Sequence, residues 1–353
     1  MRIAITGATG NLGSALLRRL ADEHTVVGLA RRLPEPGFGG PDITWVSADL
    51  TEDATVARLR EAFDGADAVV HLAWGFQPSH DLRYLEELGV GGTRRVVEAL
   101  TAAGVPHLVH LSSLGAYAPK EDDQPVDESW PTTGVPTSWY SRHKVAAERM
   151  LDEHEASGAP TLVTRIRPGL VGQRSAGSAL LRYGVPGWVP AKALDLLLLL
   201  PLDRRLRIPL VHADDVAAAI EQVLVRRAGG AFNLAAEPPV TTERIAHALG
   251  ARPLHVPSPV VRAAVDASWR LHLQQVDPGW LDLAFALPLL DSGRAHRELD
   301  WTPTKDAVVV LQALVAGMRD TASDGSPVLR LRTPLRQALA AVRRGPLSER
   351  DRP

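Results

Sequence analysis

Short β-branched apolar runs alternate with longer stretches in which apolar residues return every third or fourth position, and this alternation fills the first half of the chain. The spacing predicts strands over Arg2–Thr6, Thr25–Ala30, Ile43–Ala48, Ala68–Ala73, His107–Ser112 and Thr161–Arg167. Between them, Leu12, Ala15, Leu16 and Leu20 mark one face of a helix, as do Val90, Val97 and Leu100 and then Val145, Ala146 and Met150. Repeated units of this kind predict an α/β fold, a doubly wound parallel sheet with helices on both faces. From about Pro168 the pattern turns rich in Pro, Gly and Trp, with a short return to strand character at Phe232–Ala235. The expected organisation is one domain over 1–167, to which 207–236 returns, and a smaller, mostly helical lobe from 168–206 and 237–324. An arginine-rich tail, 325–353, completes the chain.

Composition changes this picture little. With 353 residues and 45% apolar content the chain can bury a substantial core. A formal net charge of −2 gives no basic excess, so nucleic acid is not an expected partner. There is no cysteine, which excludes disulfides and thiolate chemistry and fits a reducing compartment, the cytoplasm. The N-terminus shows no signal-peptide pattern. The most apolar stretch, Ala193–Leu202, is too short to span a membrane, which takes about 20 apolar residues; it reads as a buried helix or a pocket wall, with a lipid-facing patch as the alternative. The twelve histidines show no compact metal spacing, so no metal is expected. Beyond Asp324 stand seven arginines against two acids, with an amphipathic turn at Leu335, Leu339 and Val342; a solvated tail is the simpler reading, since order is usually lost at termini.

Thr6-Gly7-Ala8-Thr9-Gly10-Asn11-Leu12-Gly13 follows the first strand and opens the first helix. Gly7 and Gly10 would let the backbone turn tightly and approach a pyrophosphate, and Gly13 would let the helix lie close on the sheet. The helix N-terminus then presents unpaired N–H groups to the phosphates, as in a Rossmann-type domain. At the end of the second strand, where an acid would bind the ribose hydroxyls of NAD, the chain reads Ala30-Arg31-Arg32. Two arginines there suit the 2′-phosphate of NADP, although solvated strand-end charges would read the same; NAD stays open.

Tyr140 and Lys144 lie four apart in W-Y-S-R-H-K, so a helix puts both on one face. A neighbouring ammonium is expected to lower the phenol below its usual value of about 10, so that Tyr140 can exchange a proton with a substrate oxygen near neutral pH. Lys144 can also bind the nicotinamide ribose. Ser112 and Ser113 end the fifth strand at the carboxyl edge of the sheet, where ligands bind in this architecture. Ser113 is the candidate for stabilising charge on a reacting oxygen; capping of backbone groups by strand-end serines is the alternative.

T-G-A-T-G-N-L-G, Asp49-Leu50, His71-Leu72-Ala73, S-S-L-G-A-Y, Y-S-R-H-K, R-P-G-L-V-G and V-H-A-D-D-V-A occur in order over roughly 1–235. As a set they resemble the extended short-chain dehydrogenase/reductase family, also called the NAD-dependent epimerase/dehydratase family. The resemblance implies that Ser113, Tyr140 and Lys144 form the catalytic triad, Ser113 preceding Tyr117 by the family's four positions. It implies that Gly7, Thr9, Gly10, Asn11, Leu12 and Gly13 hold the cofactor, that Asp49 and Leu50 contact adenine, that Leu72 and Ala73 line the cofactor, and that Pro168 to Leu170 border the nicotinamide. In Asp214-Asp215, helix capping and dipole complementarity explain the carboxylates better than acid/base chemistry.

Three departures bear on function. Gly89-Val90-Gly91-Gly92-Thr93 lacks an amide that in the family supports the active-site water network. Arg165-Ile166-Arg167-Pro168-Gly169 lacks the amide with which nucleotide-sugar members meet a diphosphate, and Ser112-Ser113-Leu114 lacks the acid and base of sugar dehydratases. The expectation is an NADP-dependent oxidoreductase acting on a small, fairly apolar ketone or alcohol, its pocket lined by Trp188, Leu196 to Leu200, Trp269 and Trp280. The alternatives are a nucleotide-sugar epimerase with tightly bound NAD, using Arg174, Arg182 and Arg207 for the diphosphate, and a catalytically idle NADP-binding regulator. The partner in each enzyme reading is a small molecule, and a homodimer is the assembly left open.

Overall fold

The computed structural model describes residues 1–184 and 190–332. Trp188 and the turn at Leu335, Leu339 and Val342 lie outside them. The first half runs β1 (Arg2–Thr6), α1 (Asn11–Leu20), β2 (Thr25–Ala30), β3 (Thr44–Ser47), α2 (Thr55–Phe63), β4 (Ala68–His71), α3 (Leu82–Glu86), α4 (Gly92–Ala102), β5 (His107–Leu111), β6 (Pro125–Val126), α5 (Trp139–Ala156) and β7 (Leu162–Pro168). It continues with β8 (Leu170–Gly172), α6 (Gly177–Gly184), β9 (Leu199–Leu202), β10 (Arg207–His212), α7 (Ala213–Arg226), β11 (Gly230–Leu234), β12 (Ala236–Thr241), α8 (Thr242–Leu249) and β13 (Arg252–His255). The last elements are α9 (Ser258–Arg270), α10 (Pro278–Ala286), β14 (Leu289–Leu290), α11 (Gly293–Leu299) and α12 (Ala307–Arg319).

Seven strands form one parallel sheet in the order β11-β7-β5-β4-β1-β2-β3. The predicted α/β class and doubly wound, Rossmann-type topology are therefore those observed. Alternate side chains of each strand feed two cores. Ile3 and Ile5 of β1 join Leu12 and Leu16 of α1 and Val216, Ile220 and Val223 of α7 on one face. Ala4 joins Leu59 and Phe63 of α2, Val96 and Leu100 of α4 and Leu151 of α5 on the other. A strand buried on both faces reads as a continuous apolar run, which is why these segments were legible as strands. The order reverses between β1 and β4, so the crevice at their carboxyl ends is the binding position of this topology.

Within 207–236, α7 packs on α1 and β11 supplies an outer strand of the sheet, whereas β10 pairs with β8 and antiparallel to β12 in a separate three-stranded sheet. Residues of the apolar run Ala193–Leu202 form a short 3₁₀ turn, Ala191–Leu196, and the strand β9, paired with β13. Leu196 and Leu198 are 78% and 76% exposed, so the expected buried helix is not formed. At α7, the N-cap is His212, whose ring accepts from the Asp214 N–H. Asp214 and Asp215 stand in the first turn, where their charge complements the dipole, and Asp215 also receives the backbone N–H and hydroxyl of Thr304.

Candidate active site

The glycine-rich turn between β1 and α1 is built by close approach. Gly7 has φ +71°, and a Cβ there would come within 2.7 Å of the Ala73 nitrogen, so Leu72 and Ala73 lie directly against the turn. At Gly13 a Cβ would meet the Gly7 carbonyl at 2.4 Å, which fixes the helix hard on the loop. Asn11 is turned inward: its amide donates to the Val171 carbonyl (3.0 Å) and its side-chain oxygen accepts from Gln173 (3.0 Å). Gln173 therefore ties the turn to β8, a role that no local spacing announces. Thr9 is buried and its carbonyl accepts from the Ser326 hydroxyl (2.6 Å); Leu12 is a core residue.

Other expected cofactor residues are more scattered. Arg31 donates to the Tyr84 hydroxyl at 2.7 Å, and Arg32 beside it is half-buried. Asp49 accepts from the N–H and hydroxyl of Thr51 (3.0 and 2.8 Å), while Leu50 packs in the core with α2 and α4. Pro168 ends β7 opposite Leu234, and Leu170 begins β8 opposite Leu210.

Helix α5 starts at Ser138, whose hydroxyl accepts from the Ser141 N–H, and this cap sets Tyr140 in the first turn with Lys144 one turn on. Both side chains are buried. Ser113 and the Tyr140 ring face the same point above Gly115, and the Ser113 hydroxyl accepts from the Gly115 N–H at 3.0 Å. Ser112 instead donates to Glu148 at 2.5 Å, so the two adjacent serines have separate tasks. The expected lowering of Tyr140 is not found. Burial pushes the phenol up to about 12, and the Ser113 hydroxyl offsets this only in part. Lys144 spends its ammonium elsewhere: Nζ donates to the Leu111 carbonyl (2.8 Å) and sits 3.5 Å from the centre of the Trp74 ring. Burial holds Lys144 itself well below its ordinary value, with the Glu148 charge opposing.

Aromatic rings enclose the phenol. Trp280 of α10 lies 5.1 Å from the Tyr140 ring, Phe76 5.7 Å, Trp139 6.1 Å and Trp74 6.5 Å. Among the expected pocket tryptophans that are described, Trp280 packs against Tyr140, whereas Trp269 stacks on His80 at 4.9 Å. Beneath this wall, His71 bridges Thr6 (2.6 Å) and Thr93 (3.1 Å), and His110 lies 5.3 Å from it by ring centres. Burial pushes His71 down to about 3, and burial with the charges of His71, Lys144 and Arg165 pushes His110 lower than an ordinary imidazole.

A buried ion cluster supports the helix from below. Glu148 receives Arg167 Nε and an Nη at 2.9 and 2.8 Å, and Arg165 Nε lies 3.2 Å away. Burial works against its ionisation, yet Arg167, Ser112 and Arg165 hold the carboxyl below the usual range. Arg167 also lies over the Tyr117 ring, whose hydroxyl donates to Asn233 (2.7 Å). Sequence reasoning missed this cluster, although the spacing Tyr140, Lys144, Glu148 was a signal that all three share a face.

The three arginines expected to meet a diphosphate are engaged within the chain: Arg174 with Asp320, Arg182 with the carbonyls of Val328 and Arg330, and Arg207 with those of Arg204 and Leu206. Among the described residues, no group of three or more His, Cys, Asp and Glu is placed to hold a metal ion, and no helix is long and apolar enough to cross a membrane.

Comparison with known proteins places these features in a family. A sequence profile of the NAD dependent epimerase/dehydratase family matches residues 3–235. The 2′-dehydrokanamycin reductase of Streptomyces kanamyceticus is 30% identical over 366 residues, covering 98% of this chain and 93% of that protein. An uncharacterised protein of Mycobacterium tuberculosis is 28% identical over 322 residues, 90% of this chain; the chain spans about 30% of that relative's length. In fold, the UDP-glucose 4-epimerase of Thermus thermophilus solved with NAD aligns at a TM-score of 0.68 with 23% identity, over 90% of this chain and 99% of that one. The profile match covers well over half of the sequence and agrees with the topology and the ordered motifs: the chain belongs to the NAD dependent epimerase/dehydratase family.

Proposed function

We propose that the chain is an NADP-dependent reductase or dehydrogenase acting on a small, fairly apolar ketone or alcohol in the cytoplasm. The observation that carries this reading is the Tyr140 phenol, set beside Ser113 and enclosed by Phe76, Trp139 and Trp280. Residues 1–167 with α7 and β11 form the dinucleotide side in this proposal, and 168–206 with 237–324 the substrate side.

The donor chemistry fits a dinucleotide phosphate. A backbone turn too close for side chains precedes α1, and Arg31 and Arg32 stand at the end of β2. Gly7, Gly10 and Gly13 would hold the pyrophosphate, Arg31 and Arg32 the 2′-phosphate, and Lys144 the nicotinamide ribose. When bound, a reduced nicotinamide supplies the hydride for the carbonyl carbon. Tyr140 gives its phenolic proton to the carbonyl oxygen, and the C=O becomes CH–OH. A phenol pushed up to about 12 stays protonated at neutral pH, the form this step needs, and an alkoxide is still the stronger base. Ser113 donates a hydrogen bond to the same oxygen as charge develops.

The reductase identified among the relatives supports this direction. The internal use of Arg174, Arg182 and Arg207 weighs against a diphosphate-bearing substrate. The test is NADPH consumption with a broad panel of apolar ketones and aldehydes. Wild type is expected to turn over a subset, and Tyr140→Phe to lower kcat by about 10²- to 10⁴-fold. A panel with no turnover, or an unaffected Tyr140→Phe, contradicts the reading.

A further inference from the structure

Resting on the NADP reading above, we propose that the segment Ser326–Arg332 is a strap that completes the 2′-phosphate site, with Arg330 as a direct ligand of the phosphomonoester and Arg182 as the residue that positions it.

The sequence marks this region as an arginine-rich tail, yet its first residues are built into the fold. After α12 the chain turns back at Ala322, whose carbonyl accepts from the Ser178 N–H at 2.9 Å. Ser326 is 1% exposed and donates to the Thr9 carbonyl, so the segment touches the glycine-rich turn itself. Leu329 is buried against Ala176 and Ala179, and the Arg332 N–H reaches Ser178. Arg182 of α6 donates to the carbonyls of Val328 and Arg330. Two carbonyls held by one guanidinium fix the path of the backbone where Arg330 projects.

The same stretch of chain lies beside the loop that follows β2: a Cβ at Gly325 would stand 3.5 Å from the Phe38 ring. The charge of Arg330 acts on Arg32 and on Arg182, and the charges of Arg31 and Arg32 act on each other. After burial, this mutual repulsion is the main force that lowers the Arg32 guanidinium. Among the described residues, the ion pairs give no carboxylate to Arg31, Arg32, Arg182 or Arg330. Four cations drawn from three separate parts of the chain, with Arg32 and Arg182 partly buried and Arg330 exposed beside them, form a site that is relieved by a dianion. A phosphomonoester at the β2 edge, beside the turn that Ser326 touches, has the charge and acceptors required. The strap therefore adds to cofactor choice as well as to affinity.

Calorimetric binding of adenosine 2′,5′-bisphosphate and of adenosine 5′-monophosphate to the full chain tests this without any turnover. Wild type is expected to prefer the bisphosphate. Arg330→Ala, an exposed position whose loss leaves the core untouched, is expected to weaken the bisphosphate by roughly tenfold or more while leaving the monophosphate unchanged. It should also reduce the salt dependence of bisphosphate binding, which a purely structural role would not do. Arg182→Ala is expected to erode the same preference by loosening the strap. If wild type prefers the bisphosphate and both variants keep that preference in full, the strap has no part in the site and Arg31 with Arg32 suffice. If wild type shows no preference, the NADP reading itself fails and the inference fails with it.

Discussion

The ammonium of Lys144 lies 3.5 Å from the centre of the Trp74 ring, and Trp74 has this place because residue 89 is glycine: a Cβ at Gly89 would stand 3.0 Å from the indole. A π-helical turn, Glu87–Gly91, interrupts the passage from α3 to α4 at that point. In the sequence, Gly89 reads only as the loss of an amide. In the structure the indole takes the space beside Lys144 and offers a ring face in exchange.

A ring face stabilises a desolvated ammonium by up to about 2 kcal/mol, equivalent to roughly one pKa unit or somewhat more. Trp74→Leu is therefore expected to make Lys144 give up its proton at lower pH. The alkaline limb of the kcat profile should move down by about one pH unit, with Trp74→Phe intermediate. An unmoved limb would show that the contact does not tune Lys144.

The two adjacent serines should separate cleanly. Ser113 stands beside Tyr140, so Ser113→Ala is expected to lower kcat by about 10²-fold with little change in stability. Ser112 holds Glu148, so Ser112→Ala should cost about 1–2 kcal/mol of stability and leave most of kcat. Paired kcat values and urea midpoints check both, and a reversed pattern contradicts the assignment.

Glu148 is the counter-charge of two buried arginines. Glu148→Gln leaves Arg165 and Arg167 without it and is expected to destabilise the fold by about 3–5 kcal/mol. Because the folded carboxyl is held below its ordinary value, its contribution is present above the usual carboxylate range and lost as pH falls through the folded value. Denaturation of the variant should accordingly show less loss of stability in strong acid than wild type.

Acid sensitivity should set in earlier, through the histidines. His71 and His110 are folded as neutral rings, both depressed by burial, so the unfolded chain binds more protons below pH 6.5. Stability that is complete above 6.5 is lost progressively as pH falls towards about 3, the folded value of His71. From pH 7.5 to pH 5 His71 is expected to contribute a loss of about 2 kcal/mol, and His110 adds a loss in the same direction. His110→Leu should flatten that slope in urea denaturation; an identical slope would mean that the ring does not titrate as described.

Much of the scaffold was legible. β1, β2 and β4 carry central runs without a charge, residues 3–5, 26–30 and 68–70, because both faces are covered there, and the turn Gly7 to Gly13 announces itself by residues that only close packing requires. Tyr140 and Lys144 follow from helical spacing. What stayed hidden depends on distant partners. The apolar run at Leu196–Leu200 looks like buried material, but its short elements leave several leucines facing outward. The state of Tyr140 could not be read from Lys144 alone, because burial governs the phenol while the ammonium is directed at the Leu111 carbonyl. Gln173 and Ser326 act on a turn more than a hundred residues away, and no periodicity encodes such a contact.

The destination of the hydride tests the central claim most directly. NADPH carrying deuterium at the transferable C4 position is incubated with the wild-type chain and a carbonyl substrate that it consumes, and the product is weighed by mass spectrometry. The account predicts an alcohol with one deuterium on the carbinol carbon, formed in step with NADP⁺, and almost none with Tyr140→Phe. An unlabelled product isomerised at its original carbon, with cofactor retained and not consumed, would contradict it.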